Sequence, residues 1–137
     1  KGEVGIGTTT LAQLSYDNTA DELVIFNKSL NRNVPILGTD THFYTLTSNT
    51  TVKSWSTVLV DTATSGAFTI TLPASPLQGE RIKFVDIKKS FDTAALTVGR
   101  NGKPIMGDAA DMTVNTEGAA FELMFVDNTQ GWVLMQV

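Results

Sequence analysis

The nineteen residues from Val58 to Pro76, VLVDTATSGAFTITLPASP, constrain the fold more than any other stretch of the chain. Val58 and Val60 alternate with Leu59 and Asp61. Phe68, Ile70 and Leu72 then alternate with Ala67, Thr69 and Thr71. Period-two alternation is the pattern of a half-buried strand, because successive side chains point to opposite faces of a sheet. Thr64-Ser65-Gly66 reads as a tight turn, so the stretch is expected to be a strand pair. Pro73 and Pro76 lack the N–H that a ladder needs, and the second strand is expected to stop at Leu72.

The rest of the chain repeats this style. It contains 20 threonines among its 137 residues, and β-branched side chains favour pleated structure. Helical runs of Ala, Leu, Glu and Lys are missing. After Trp55, strands are expected at Arg81–Ile87, Leu96–Val98, Met112–Val114, Ala120–Val126 and Trp132–Val137, with Ile82, Phe84, Phe121, Leu123 and Phe125 facing inward and Asp86 outward or near an edge. The last two strands form a hairpin across Asp127–Gly131. Asn101-Gly102 is a strong hairpin signal, and Pro104–Met106 is expected to begin its return strand. Phe91 is expected to plug the core beneath the loop Lys88–Ala95. Regular strand spacing of this kind is that of a β-sandwich or barrel.

Before Trp55 the apolar pattern is thinner. Glu3–Ile6 reads as a short strand. Leu11–Tyr16 and Leu23–Asn27 read as a hairpin, Asn31-Arg32-Asn33 as a turn, and Val34–Leu37 as an edge segment limited by Pro35. Thr41–Lys53 is a further strand or an extended connection. The division expected is therefore an extended β-hairpin arm, residues 1–54, followed by a compact β-sandwich or barrel-like module, residues 55–137. A lone hairpin is marginal in water, so the arm is expected to pack on the second half or on other copies of the chain. Lys1 in place of Met is expected of a processed chain or of part of a longer one.

Several kinds of chemistry are disfavoured. The chain has no cysteine, which excludes disulfides, thiolate metal sites and thiol catalysis. Its net charge is −4, and Lys88-Lys89 is its only basic run, so nucleic acid is not expected as a partner. No apolar run approaches the ~20 residues of a membrane-spanning helix, so membrane insertion is not expected. The glycines of Lys1–Thr10 lack the Gly-Lys-Ser/Thr of a phosphate loop. One histidine, His42, with no G-x-S-x-G motif, gives a poor basis for a serine hydrolase. Asp108 and Asp111, with Glu117 near, could supply the two carboxylates of a glycosidase, and the Asp108–Asp111 loop could bind calcium, but loop acids of this kind are usually solvated. No catalytic, cofactor or metal site is expected.

Aromatic residues remain. Trp55, Trp132, Tyr16, Tyr44 and His42 could stack on sugar rings, or pack in a core or an interface. Trp132 opens the last strand and is expected in the core. Trp55, flanked by Ser54 and Ser56 between the two halves, is the better interface residue. Trp55, Tyr16 and Tyr44 are the candidate interface or glycan contacts.

The second half resembles a small β module of tailed-bacteriophage virion proteins, found in tail fibres and in a trimeric baseplate wedge protein. The matching residues are D-T-x-x-S-G-A-F-T-I-T-L-P-A at Asp61–Ala74, G-E-R-I-K-F-V-D at Gly79–Asp86, S-F-D-T-A-A-L-T-V-G-R-N-G at Ser90–Gly102, I-M-G-D at Ile105–Asp108, and F-E-L-M-F-V-D…G-W-V-L within Phe121–Leu134. The opening K-G-E-V-G-I-G-T-T-T is similar to a linking motif of phage fibres. The resemblance implies a non-enzymatic structural protein of the virion, a homotrimer in a tail fibre or baseplate that supports host attachment. It implies other virion proteins, and a host surface glycan, as partners. A carbohydrate-binding β-sandwich at a receptor-binding tip, and a capsid or neck fibre, are the alternatives.

Overall fold

A computed structural model of the chain describes the backbone of residues 2–6, 9–17, 22–27 and 32–35, and backbone and side chains of residues 42–135. The chain divides into two compact units, Lys1–Thr41 and His42–Val137. Both are built from strands.

The first unit is an antiparallel meander of β1 (Gly2–Ile6), β2 (Thr9–Asp17), β3 (Glu22–Asn27) and β4 (Arg32–Pro35), in that spatial order. The expected hairpin is its centre, with Leu14 opposite Ile25 and Tyr16 opposite Leu23. The arm is thus a four-stranded sheet. Arg32 and Asn33 do not lie in a turn, because they are the cross-strand partners of Asn27 and Phe26. Pro35 ends β4, an edge strand, where a proline is tolerated. Ile36 and Leu37 lie outside the described residues.

The second unit contains β5 (His42–Leu46), β6 (Thr50–Thr51), β7 (Ser56–Val60), a one-turn helix α1 (Thr62–Ser65), β8 (Phe68–Thr71), β9 (Arg81–Asp86), β10 (Leu96–Gly99), β11 (Met112–Val114), β12 (Ala120–Asp127) and β13 (Gly131–Met135). They form two mixed sheets, ordered β11-β10-β8-β6 and β13-β12-β9-β7-β5. Neither closes on itself, so the unit is a sandwich and not a barrel. Residues 42–54, grouped by sequence with the arm, join these sheets: β5 runs parallel to β7, and β6 parallel to β8.

One core lies between the sheets. Val58, Val60, Ile82, Phe84, Leu123, Phe125 and Trp132 come from the larger sheet, and Phe68, Ile70, Leu96 and Val98 from the smaller. Phe91 is buried beneath its loop, and Trp132 is fully buried. Each such side chain contributes roughly 1.5–3 kcal/mol relative to an exposed one.

The expected strand pair at Val58–Pro76 is not a hairpin. β7 and β8 belong to different sheets and face each other across the core. The Asp61 carboxylate accepts the Thr64 N–H at 3.0 Å and the Thr64 hydroxyl at 2.9 Å, capping α1. Gly66, at φ +83°, ends the turn. Two strands with the same apolar rhythm thus pack face to face, joined by a capped helical turn in place of a tight one.

The Asn101-Gly102 turn forms, but it does not lead into a return strand. Antiparallel pairing to β10 is supplied by β11. Pro104–Met106 crosses to the other sheet instead: Trp132 N–H donates to the Pro104 carbonyl at 2.9 Å, and Met106 N–H to the Trp132 carbonyl at 2.8 Å. Ile105 is thereby buried. Asp86 is also not outward. It is buried, and its carboxylate collects four backbone N–H groups, from Lys88, Ser90, Phe91 and Gly118.

The two outer faces of the sandwich differ in chemistry. On the smaller sheet Thr97 lies between Thr69 and Thr113, and Thr71 pairs with Thr51. On the larger sheet the outward positions include Phe43, Leu59, Val85, Met124 and Val133. Among them Glu122 is buried beside Arg81 at 3.6 Å and Lys83 at 3.9 Å.

Candidate functional site

Trp55 and Tyr44 lie at one corner of the larger sheet. Trp55 immediately precedes β7. Its N–H donates to the Arg81 carbonyl at 2.7 Å, and its carbonyl accepts the His42 N–H at 3.3 Å. It therefore knits the first residues of β5, β7 and β9 together. To do so it adopts φ +62°, a left-handed backbone that a bulky side chain takes only under constraint. Its indole is half-buried.

Tyr44 sits on β5 opposite Val58, its ring nearly parallel to that of His42, with centroids 6.3 Å apart. Burial pushes the Tyr44 phenol above its ordinary value, against hydrogen bonds with the Ser56 side chain and the Lys53 backbone that pull it down. Ser56 in turn donates to the Lys53 carbonyl at 2.5 Å. Nearby in sequence, the Ser54 hydroxyl donates to the buried Glu80 carboxylate at 2.5 Å. The corner is a polar, hydrogen-bonded frame carrying aromatic side chains.

Tyr16 belongs to the first unit, and its side chain lies outside the described residues. Trp132 packs edge-on against Phe125, with centroids 5.6 Å apart, and is a core residue.

The acidic loop makes no assembled centre. Asp108, Asp111 and Glu117 are all exposed. Asp111 accepts the Arg100 N–H at 2.9 Å, and the Asp108 backbone closes a turn with Ile105. Among the described residues no cluster of three or more His, Asp or Glu side chains is arranged to hold a metal. Among them, too, no helix is long and apolar enough to cross a membrane.

Among the described residues, Asp86 is the carboxylate that collects the most backbone donors, at a position expected to lie outward or near an edge. Burial alone would raise the Asp86 pKa, but N–H donors from Phe91, Ser90, Gly118 and Lys88 outweigh it and hold the carboxyl below its usual range. Beside it, the buried hydroxyls of Thr62 and Ser90 share a hydrogen bond of 2.8 Å. An aspartate at a strand end, four residues before a serine in a loop, is the sequence signal that points to this role. The arrangement fixes loops and offers no free base.

No protein-family model matches the chain, and a search of curated proteins finds no significant relative.

Proposed function

We propose that this chain is a non-enzymatic structural protein of a phage virion, a homotrimeric tail-fibre or baseplate module that supports host attachment. The virion assignment rests on the residue pattern set out above, whose segments fall on consecutive elements of the unit His42–Val137. The observation that carries the multimeric part is the contrast between the two outer sheet faces. One is lined by threonines that suit water. The other sets Phe43, exposed by 72%, with Leu59, Val85, Met124 and Val133 around the charged group Arg81, Lys83 and Glu122. Exposed apolar side chains on a sheet face, Phe43 above all, favour association. The buried carboxylates support the non-enzymatic reading, because Asp61 and Asp86 hold backbone groups and Glu122 is flanked by Arg81 and Lys83. Light scattering on the chain eluting from a sizing column tests the proposal. A trimer mass supports it, and a monomer at micromolar concentration overturns it.

One observation favours a second reading, a carbohydrate-binding face. A half-buried tryptophan in a left-handed backbone, Trp55, is the kind of constrained residue found at ligand clamps. Glycan-array binding that Trp55→Gly abolishes would support this reading, and no binding to any glycan would remove it.

A further inference from the structure

Asn101-Gly102 is the one Asn-Gly pair in the sequence. Such a pair can modify itself: the glycine nitrogen attacks the asparagine side-chain carbon, and no Cβ on the glycine hinders the approach. The fold bears directly on this chemistry. The Lys103 N–H donates to the Arg100 carbonyl at 3.1 Å, and Asn101 and Gly102 have φ of +48° and +86°. That is a type I′ turn, in which the first central residue has ψ of about +30°. At that ψ the Asn101 Cβ and the Gly102 nitrogen lie on nearly opposite sides of the Cα–C bond. Ring closure requires them on the same side.

A second restraint acts on the leaving group. Asn101 Nδ2, the atom that must depart as ammonia, donates to the Leu72 carbonyl at 2.9 Å. The turn itself faces outward: Asn101 is exposed, and a Cβ at Gly102 would meet no atom within 4 Å. It can open without disturbing the core.

We propose that Asn101 is a latent self-modification site, silent in the closed turn and reactive only from the opened one. In the opened turn the Gly102 N–H gives its proton to solvent base. The nitrogen bonds to Asn101 Cγ, the Cγ–Nδ2 bond breaks, and ammonia leaves with a proton from water. Water then adds to either carbonyl of the cyclic imide, giving aspartate or isoaspartate, with no change of oxidation state. The product carries a carboxylate where the donor to Leu72 had been. It cannot remake that bond, so the reaction records an opening of the loop and holds the loop open.

The test compares the full chain in native buffer and in guanidinium chloride, at one pH and temperature, with conversion of residue 101 followed by peptide mass spectrometry. Native conversion is expected to be slower by at least about tenfold, because only the opened fraction reacts. Equal rates, or no conversion in denaturant, overturn the proposal. Asn101→Asp reproduces the aspartate product. It is expected to speed tryptic cleavage after Arg100 several-fold in the native protein, and a rate equal to that of the unaltered chain overturns the trapping step.

Discussion

The carboxylate of Asp86 accepts the backbone N–H of Gly118 at 3.0 Å, across 32 positions of sequence. The same oxygen also takes the N–H groups of Ser90, at 2.9 Å, and Phe91, at 3.2 Å. One side chain thus ties the loop after β9 to the turn before β12. Asp86→Asn keeps the shape but removes the charge and sets an N–H₂ group against a donor. We expect a loss of about 2–3 kcal/mol in chemical denaturation, since charge-assisted bonds are the strong ones. The folded carboxyl titrates below its unfolded value. Its stabilisation is therefore fully present above about pH 4 and is lost as the pH falls through the folded value. The acid limb of a stability–pH curve should flatten in Asp86→Asn. Asp127 shifts in the same direction through the N–H groups of Gln130 and Thr129, so part of the limb should remain.

Among the described residues, Gly131 is the glycine least open to substitution. It has φ +70°, and an added Cβ would fall 1.8 Å from the Pro104 carbonyl oxygen. That carbonyl is the acceptor for Trp132 N–H, so relief of the clash would break the bridge between β13 and the Pro104–Met106 segment. Gly131→Ala should cost about 3–5 kcal/mol. Gly79, at φ +88° with nothing within 4 Å, should cost only about 1–2 kcal/mol as alanine. Thermal melts of the two variants side by side check the ranking.

Trp55 carries backbone strain and partial burial together. Trp55→Gly relieves the first, worth about 1–2 kcal/mol, and forfeits a comparable amount of apolar contact. The denaturation midpoint should move by less than the equivalent of about 1 kcal/mol in either direction. A large loss would show that the indole is chiefly a core residue.

Met124 lies on the outward side of β12, opposite Arg81 of β9. Met124→Glu should leave the circular dichroism spectrum unchanged. If copies meet through this face, as proposed, it should weaken their association by roughly a hundredfold or more, because a charge would have to be desolvated at the contact. Sedimentation equilibrium of the variant beside the parent chain measures this. An unchanged association constant would place the contact elsewhere.

What could be read from the sequence depended on the range of the forces involved. The last hairpin, the burial of Phe91 and Trp132 and the stop after β8 follow from local alternation, loop length and proline chemistry, and all are present. The pairing of strands is not local. Val58–Val60 and Phe68–Ile70 have the same apolar rhythm whether they lie side by side or across a core, so the hairpin reading and the observed crossover share one pattern. Asp61 and Thr64 distinguish them, because an aspartate three residues before a donor caps a helical turn. Asp86 eluded the pattern because its partners are backbone groups from two separate loops, and a sequence does not display backbone donors. At the candidate site, the sequence singled out Trp55 only by its place between Ser54 and Ser56. Its left-handed backbone was not legible, since it is imposed by Arg81 and His42, residues distant in sequence.

The crossed layout of the larger sheet bears on how the chain is made. β9 lies between β7, made before it, and β12, made long after it. A growing chain that emerges from its N-terminal side first can form the β7–β9 pair early, yet one flank of β9 stays bare until residue 127 has been synthesised. Parallel pairs and distant partners are slow to form, and bare strand edges recruit other chains. The interval between those two pairings is therefore when this protein is most exposed to misassociation during synthesis.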